Sequence, residues 1–268
     1  MAGPTTADRG VSKPSAGSSG PPPRRRFAGI GRLRGRLSPR TVLLLVAALA
    51  LGGGIVWALY GSSWLRAERV EVSGVDVLTP EQVSEAARVP LGSPLVSVDT
   101  DAVEARLKRR LPRIDSVEVS RSWPDGVALD VTERRPVLLL EQGAKFVEVD
   151  AEGVRFATVT VAPKGVPRLT MDIAAAPSLN RFGRDRLISA AVRVKGDLPK
   201  VVAADIRKVA VRSYDYITLE LTGGRTVVWG SPEEGELKAR ALTALMKAAP
   251  KARDFDVSAP TAPAVAGS

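Results

Sequence analysis

The 268-residue chain contains neither cysteine nor histidine. Without cysteine it forms no disulfide, so its folded part must be stabilised by a packed apolar core. The two absences exclude a cysteine nucleophile, a Ser-His-Asp triad and a zinc site with His or Cys ligands. No glycine-rich phosphate-binding motif is present. Carboxylate-pair hydrolysis stays chemically open, but the acids are scattered among basic residues. We therefore expect no enzymatic activity, no metal and no cofactor.

The positive charge is concentrated at the N-terminus. Residues 1–40 carry nine Lys or Arg and one Asp, or +8 of the total +10, whereas the remainder has 30 basic and 28 acidic residues. The high isoelectric point therefore describes the tail and does not indicate a nucleic-acid-binding domain. The first 23 residues are rich in Gly, Pro, Ser and Thr, so residues 1–40 are predicted to be a disordered basic tail.

An uncharged run of twenty residues, 41–60, follows the tail. A helix of that length spans about 30 Å, the hydrocarbon thickness of a bilayer. Trp57, Tyr60 and Trp64 cluster at its end, as is typical of a lipid–water interface. A buried core helix and a cleaved signal peptide are the alternatives, but the run exceeds the usual signal core of about 7–15 residues. We predict an uncleaved transmembrane helix over residues 41–61.

Arginines flank this run asymmetrically. Between residues 24 and 40 there are seven arginines and no acid, against Arg66 and Arg69 on the other side. The predicted topology residues are Arg24, Arg25, Arg26, Arg32, Arg34, Arg36 and Arg40. The positive-inside rule places the N-terminus in the cytoplasm and the rest outside, as in a single-pass type II protein. The simplest role for these arginines is topology and attraction to anionic lipid.

Residues 65–134 are predicted to form a small α/β module. Alternation predicts a strand at residues 69–72, and Thr79-Pro80-Glu81-Gln82 has the pattern of a helix N-cap with a capping box. A second helix begins at Asp99 or Thr100. Two alternating runs around the turn at residues 123–126 indicate an antiparallel hairpin. The order β-α-α-β-β indicates two helices on one face of a three-stranded sheet.

Residues 135–258 are predicted to be a mainly antiparallel β domain with packed helices, so the fold class is α+β. Residues 166–169 are assigned to an edge segment because of Pro167. Residues 184–194 have helical spacing. Ser231-Pro232-Glu233-Glu234 is interpreted as a second capping box, starting a helix with Leu237, Ala241, Leu245 and Ala248 inward. The last strand is placed at residues 254–258, and residues 259–268, with two prolines, are predicted to be a flexible tail.

The order of motifs resembles the bacterial FtsQ family, also called DivIB. The most specific stretch runs from Leu111-Pro112-Arg113-Ile114 through Arg121-Ser122-Trp123-Pro124 to Glu133-Arg134-Arg135-Pro136-Val137. Val72-x-Gly74, Leu95-Val96-x-Val98-Asp99 and Val149-Asp150-x-x-Gly153 also match. The resemblance covers the chain from the hydrophobic run to about Pro263. It implies that residues 65–134 are a POTRA domain and residues 135–258 the family's β domain.

The resemblance also implies a function. FtsQ-like proteins are non-catalytic scaffolds of the divisome at the division septum, where they link early and late division proteins and contribute to the control of septal peptidoglycan synthesis. Their partners are bitopic proteins of the FtsB and FtsL type and other divisome components. The family uses its terminal β-domain strand to take up a segment of FtsB. No nucleic acid and no small-molecule substrate is implied.

Two sites carry over to this sequence. The first is the last strand, with Phe255, Asp256, Val257 and Ser258, supported by the strand that ends at Trp229. An exposed last strand has unpaired backbone groups that a partner strand can use. Phe255 and Val257 are equally compatible with plain core positions. The second site is the strand that holds Val119 and Arg121. In relatives, the matching strand is linked to recruitment by upstream division proteins.

Two other classes of protein compete with this interpretation. One is a secretion or envelope-assembly component built on a POTRA domain, which would show repeated modules or a C-terminal barrel. The other is a membrane-anchored cell-wall hydrolase, which would need two carboxylates converging in a cleft. A purely structural anchor is hard to tell from a scaffold by sequence.

Overall fold

The computed structural model describes residues 38–171 and 179–267, without side-chain detail for residues 179–182. Residues 1–37 of the predicted tail and six of the topology arginines, those from Arg24 to Arg36, lie outside these ranges. Pro39 and Arg40, predicted to belong to the tail, are helical. The helices are α1 (Pro39–Gly61), α2 (Pro80–Ala87), α3 (Thr100–Arg110), α4 (Leu179–Asp197), α5 (Lys200–Asp205) and α6 (Gly235–Ala248). Among the described residues α1 is the one helix long and apolar enough to cross a membrane. None of its side chains is buried, as expected of a helix that faces lipid.

The first sheet has three strands in the order β1-β3-β2. They are β1 (Arg69–Ser73), β2 (Ile114–Ser122) and β3 (Gly126–Glu133). β2 and β3 form the predicted antiparallel hairpin, and β1 runs parallel to β3. Apolar residues of α2 and α3 share one core with alternate residues of the strands. The predicted β-α-α-β-β order is therefore confirmed.

Local capping explains where the two helices of this module begin. Thr79 accepts a hydrogen bond from the N–H of Gln82 at 3.3 Å, and the Gln82 side chain accepts one from the N–H of Thr79 at 3.0 Å. The predicted capping box is present, and Asp99 caps α3 through the N–H of Ala102. Each cap satisfies backbone donors that the first turn leaves free.

The second sheet has nine strands in the order β12-β11-β10-β9-β8-β7-β4-β5-β6. The strands are β4 (Leu138–Gln142), β5 (Lys145–Val149), β6 (Arg155–Val159), β7 (Arg168–Met171), β8 (Ile206–Ser213), β9 (Tyr216–Leu221), β10 (Thr226–Gly230), β11 (Asp254–Asp256) and β12 (Ala264–Ala266). Five of its eight pairings are antiparallel, which agrees with the predicted mainly antiparallel domain. Its core also includes apolar residues of α4, α5 and α6.

Two local predictions in this part are wrong. β7 is not an edge strand, because it lies between β4 and β8. Pro167 precedes the strand, so its missing N–H costs no ladder bond, and its carbonyl accepts from Leu139 at 3.0 Å. The capping box before α6 does not form, since Glu234 is the N-cap and makes no side-chain cap bond.

The buried face of α6 also differs from the predicted one. Leu237 is exposed, and the buried positions include Lys238 and Leu242 instead. The Lys238 ammonium donates to the Ser231 carbonyl at 2.9 Å and lies 3.5 Å from its hydroxyl. The aliphatic part of a lysine can cover apolar surface when its charged end finds acceptors. Of the four residues predicted to face inward, Ala241 and Leu245 do pack against the core, whereas Leu237 and Ala248 are exposed.

The motif that carried the family resemblance holds loops and sheets in place. One carboxylate oxygen of Glu133 accepts from the N–H groups of Asp76, Val77 and Leu78 at 2.9, 3.0 and 2.9 Å. Next to it, Arg134 donates to Asp150 at 2.5 Å. Glu133 therefore fixes the loop before α2, and the neighbouring Arg134 fixes the turn that follows β5.

Candidate functional site: the C-terminal edge of the large sheet

The C-terminal edge of the nine-stranded sheet is formed by β12. β10 pairs with β11 in parallel, with Val227 opposite Phe255. β11 then pairs with β12 in antiparallel, with Phe255 opposite Val265. The prediction that the strand at residues 254–258 is the free edge is therefore wrong, and so is the prediction that residues 259–268 form no element. Within the described residues the outer side of β12 has no neighbouring strand.

Backbone hydrogen bonds attach β12 to β11. All three of its side chains are exposed, so the strand adds little buried apolar area to the sheet. The N–H of Arg253 donates to the carbonyl of Gly267 at 2.9 Å just beyond the strand. A short strand that is attached mainly by backbone pairing presents its other side as a template for a further strand.

The direction of the backbone groups on this edge follows from hydrogen bonds on β11. Val257 N–H donates to Val228 O at 2.9 Å, and Arg253 O accepts from Thr226 N–H at 2.7 Å. Within β11, Phe255 thus directs its N–H and C=O towards β10, and Asp254 and Asp256 direct theirs towards β12. Arg253, which precedes the strand, is irregular, because its N–H bonds to Gly267. In an antiparallel pair, two directly opposed residues either both point their N–H and C=O groups at each other or both point them away. Val265, opposite Phe255, therefore directs its N–H and C=O away from the sheet.

Three predicted partner-binding residues lie beneath this edge, in the core. Phe255, Val257 and Trp229 are all buried and belong to the core of the large sheet. They support β11 and β10 and are not available as surface contacts. The Trp229 indole Nε1 has no hydrogen-bond partner among the described residues. Because Val257 N–H is used within the sheet, a proline at that position would break the domain's own ladder.

The remaining two predicted residues of the last strand form its end. Asp256 Oδ1 accepts from the Ser258 N–H at 2.9 Å and from its hydroxyl at 2.6 Å. Both residues are exposed. Gly230 lies against this turn with a φ of +77°, and a Cβ there would stand 2.9 Å from Ser258 Cβ. The turn directs the chain away from β11 before β12 returns.

A shallow apolar groove of about 580 Å³ lies beside β12. It is lined by Ala249, Pro250, Lys251, Ala252, Val265, Ala266 and Gly267. A strand that pairs with β12 could place side chains in this groove, because alternate side chains of an added strand point to the two faces of the sheet.

The second predicted site, on β2, is engaged within its own module. Val119 is buried, and its N–H donates to Glu104 at 3.1 Å. The Arg121 guanidinium donates to Leu95 O at 3.1 Å and to Val98 O at 2.7 Å. Arg121 is exposed but holds the segment before α3, so a charge reversal there would disturb this segment as well as any partner contact.

Two acids that are buried in the structure are each paired with an arginine. The buried acids Glu148 and Asp150 lie against Arg113 and Arg134, each at 2.5 Å. No group of acidic side chains among residues 38–171 and 179–267 is arranged to hold a metal ion. Of the topology arginines, only Arg40 falls in the described part, where it is exposed near the start of α1.

Sequence reasoning missed β12. Val265 stands alone between two alanines, after Pro260 and Pro263, and three residues are too few for an alternation signal. The one available clue is that Gly267 could end an extended segment; it has a φ of +74°, which favours glycine.

Comparisons with known proteins agree with this architecture. The family profile described as "POTRA domain, FtsQ-type" matches residues 65–134. The "Cell division protein FtsQ" of Streptomyces coelicolor is 63% identical over 273 aligned residues, covering 100% of both chains. That of Streptomyces venezuelae is 58% identical, covering 100% of this chain and 99% of the relative.

One solved structure, the major extracytoplasmic domain of the cell-division protein DivIB from Geobacillus stearothermophilus, aligns with a TM-score of 0.32 and 16% identity. The alignment covers 44% of this chain and 94% of that chain. The identity and coverage of the two Streptomyces relatives are decisive, and the chain belongs to the FtsQ family of bacterial cell-division proteins.

Proposed function

We propose that this chain is a non-catalytic scaffold of the divisome. α1 anchors it in the cell membrane with the N-terminus in the cytoplasm, and the two sheets are displayed outside at the division septum. The arginine asymmetry around α1 supports this orientation. Membership of the FtsQ family supports a role in cell division. In this role the chain links early and late division proteins and contributes to the control of septal wall synthesis.

Domain boundaries follow from the same proposal. The POTRA domain comprises residues 65–134. The β domain begins at residue 135 and extends past residue 258 to the end of β12, because β12 completes the large sheet. A domain that ends on a strand with one unpaired side is suited to capture an extended segment of another chain.

The open outer side of β12 supports this proposal most directly. An FtsB-type or FtsL-type protein adds a strand to β12, and the outward N–H and C=O of Val265 pair with it. Phe255, Val257 and Trp229 contribute by holding β11 and β10 rigidly beneath the edge. Asp256 and Ser258 fix the turn that leads to β12. Arg121 acts on recruitment through the segment that it holds.

Replacing Val265 with proline tests this proposal. Proline removes the outward N–H, and the loss of one net hydrogen bond of about 0.5–1.5 kcal/mol weakens binding roughly 2- to 10-fold. The domain stays folded, because an edge strand tolerates proline when the missing N–H faces solvent. The measurement is the Kd of the full chain in detergent for the extracytoplasmic segment of the FtsB-type protein of the same organism.

The matched control is Val265→Ala, which shortens the same side chain but keeps the N–H. Strand addition predicts that the Kd of Val265→Ala is much closer to the wild-type Kd than the Kd of Val265→Pro is. If the two variants bind equally while both keep the wild-type melting temperature, the backbone of β12 does not pair with the partner.

A further inference from the structure

The chain enters the POTRA domain beside the loop at residues 89–94. α1 ends at Gly61, and only five residues separate it from Ala67. Ala67 N–H donates to Ser93 O at 2.9 Å, and Ala67 O accepts from Gly92 N–H at 2.8 Å. Six residue steps span at most about 20 Å. The tip of this loop is therefore tied to the part of the domain that follows directly after the membrane helix.

A second loop lies at the same end of the domain. The N–H groups of Glu68 and Arg69 both donate to Asp125 O, at 2.8 and 3.2 Å. The Arg69 guanidinium also pairs with the Asp125 carboxylate at 2.6 Å. These bonds hold the turn between β2 and β3, which begins at Trp123, beside the first residue of β1.

Three large apolar side chains are exposed at this end. They are Trp64, Leu91 and Trp123, with 74%, 61% and 52% of their surface exposed. We call them the membrane-proximal rim. Exposing one such side chain is ordinary, but several at the same end of a small domain indicate a surface that is covered by something else.

The loop that carries Leu91 is held firmly in place. Arg66 donates to Gly92 O at 2.7 Å. Arg106 donates to Ala87 O at 2.5 Å, just before the loop, and Arg121 donates to Leu95 O and Val98 O just after it. Bonds from a charged donor are about twice as strong as neutral ones. Leu91 is therefore presented in a fixed position, which lowers the entropy cost of placing it against a partner surface.

We propose that the membrane-proximal rim rests in the interfacial layer of the bilayer and seats the POTRA domain on the membrane. The inference rests on the membrane anchorage proposed above. Tryptophan favours the headgroup level, where its ring is partly apolar and its N–H can reach water. Leu91 adds a third exposed apolar side chain at this end of the domain. The occupant is the lipid surface, because the rim is joined to the membrane helix by the shortest stretch of chain.

Site-specific labelling of the full chain tests the proposal, since the absence of native cysteine makes single-cysteine variants selective. Leu91→Cys and Trp123→Cys are labelled with nitrobenzoxadiazole and reconstituted in vesicles of phosphatidylcholine and phosphatidylglycerol. Val77→Cys is the matched control. Val77 is 64% exposed in the same domain, but it lies beyond the opposite end of β1, a strand of five residues that spans roughly 16 Å.

We expect lipid-borne nitroxide to quench the labels at positions 91 and 123. We also expect aqueous iodide to quench these two labels several-fold less than it quenches the label at position 77. Equal iodide quenching at all three positions would overturn the proposal. Protection from iodide without quenching by the lipid nitroxide would also overturn it, because a protein surface would then cover the rim.

A label at Leu45→Cys, within α1, separates this inference from the proposed function. If lipid nitroxide does not quench the rim labels but deep lipid nitroxide does quench the Leu45 label, α1 is in the membrane and only the rim proposal fails. If the Leu45 label is not quenched either, the membrane anchorage itself fails. The vesicles contain no partner protein, so the result does not depend on strand addition at β12.

Discussion

At the scale of single residues, Lys238 is a lysine that the fold buries almost completely. Its ammonium is buried beneath the start of α6 and donates to Ser231 O at 2.9 Å. Burial lowers the pKa of Lys238, and the nearby carboxylates of Glu233 and Glu234 offset part of that effect. A buried ammonium with few acceptors is costly in its charged form.

The pH dependence of stability follows from this lowered pKa. Between the folded-state pKa of Lys238 and the ordinary lysine value of 10.5, the unfolded chain binds more protons than the folded chain. The free energy of unfolding therefore rises with pH in that window. We expect denaturant titrations of the full chain from pH 8 to pH 10 to show a larger gain in the free energy of unfolding for the wild type than for Lys238→Met.

Lys195 provides an internal reference for this prediction. Burial lowers its pKa as well, and it contributes equally to both proteins, so the difference between wild type and variant isolates Lys238. If the two proteins change in parallel between pH 8 and pH 10, the ammonium of Lys238 is not desolvated in the folded chain.

At the scale of elements, an ion pair joins the start of β2 to β5. Arg113, one residue before β2, donates to Glu148 on β5 at 2.5 Å, and both side chains are largely buried. The Arg113 guanidinium also lies 5.2 Å from the ring of Phe156, a cation–π contact. The first sheet and the second sheet are therefore connected by side chains as well as by the chain between β3 and β4.

Removal of Glu148 leaves the Arg113 charge buried without its carboxylate. The expected cost of Glu148→Ala is about 3–5 kcal/mol of unfolding free energy, as for other broken buried pairs. The measurement is chemical unfolding of the full chain in detergent. Glu236→Ala is the control, because Glu236 is an exposed member of an i,i+4 pair with Arg240, and exposed pairs contribute little. Equal effects of the two substitutions would contradict a structural role for the Arg113–Glu148 pair.

The sequence predicted those elements whose signals are local. Thr79 and Gln82 form the expected cap because both partners lie within one turn, and the β2–β3 hairpin follows from strict alternation. The errors arise where tertiary contacts override a local pattern. The sequence predicts Ser231 as a helix cap, but its oxygens accept from Lys238, seven residues along the chain.

The candidate site was predicted only in part, for the same reason. Alternation at Phe255 and Val257 correctly placed a strand near the end of the chain, and the structure adds that both residues are core. Pairing of β12 with β11 depends on three residues without a pattern, so the true edge could be found only from the fold. The position of β7 between β4 and β8 likewise depends on long-range pairing.

At the scale of the whole molecule, each part has one task in the proposed scaffold. In that scaffold α1 is the anchor, the three-stranded module follows directly after it, and the large sheet ends on a strand with one open side. The charged bonds from Arg113 and Arg134 to Glu148 and Asp150 connect the two sheets. The scaffold role depends on this order, since a strand captured at β12 is thereby linked to the membrane.

In the proposed scaffold, a partner strand extends the large sheet at β12. Hydrogen–deuterium exchange of the full chain, read at single amides with and without the FtsB-type segment, tests it directly. We predict that the outward N–H of Val265 exchanges rapidly alone and becomes strongly protected on binding, while the amides of Ala264 and Ala266, which face β11, change much less. If a saturating partner leaves the Val265 amide exchanging as fast as before, the partner does not pair with this edge.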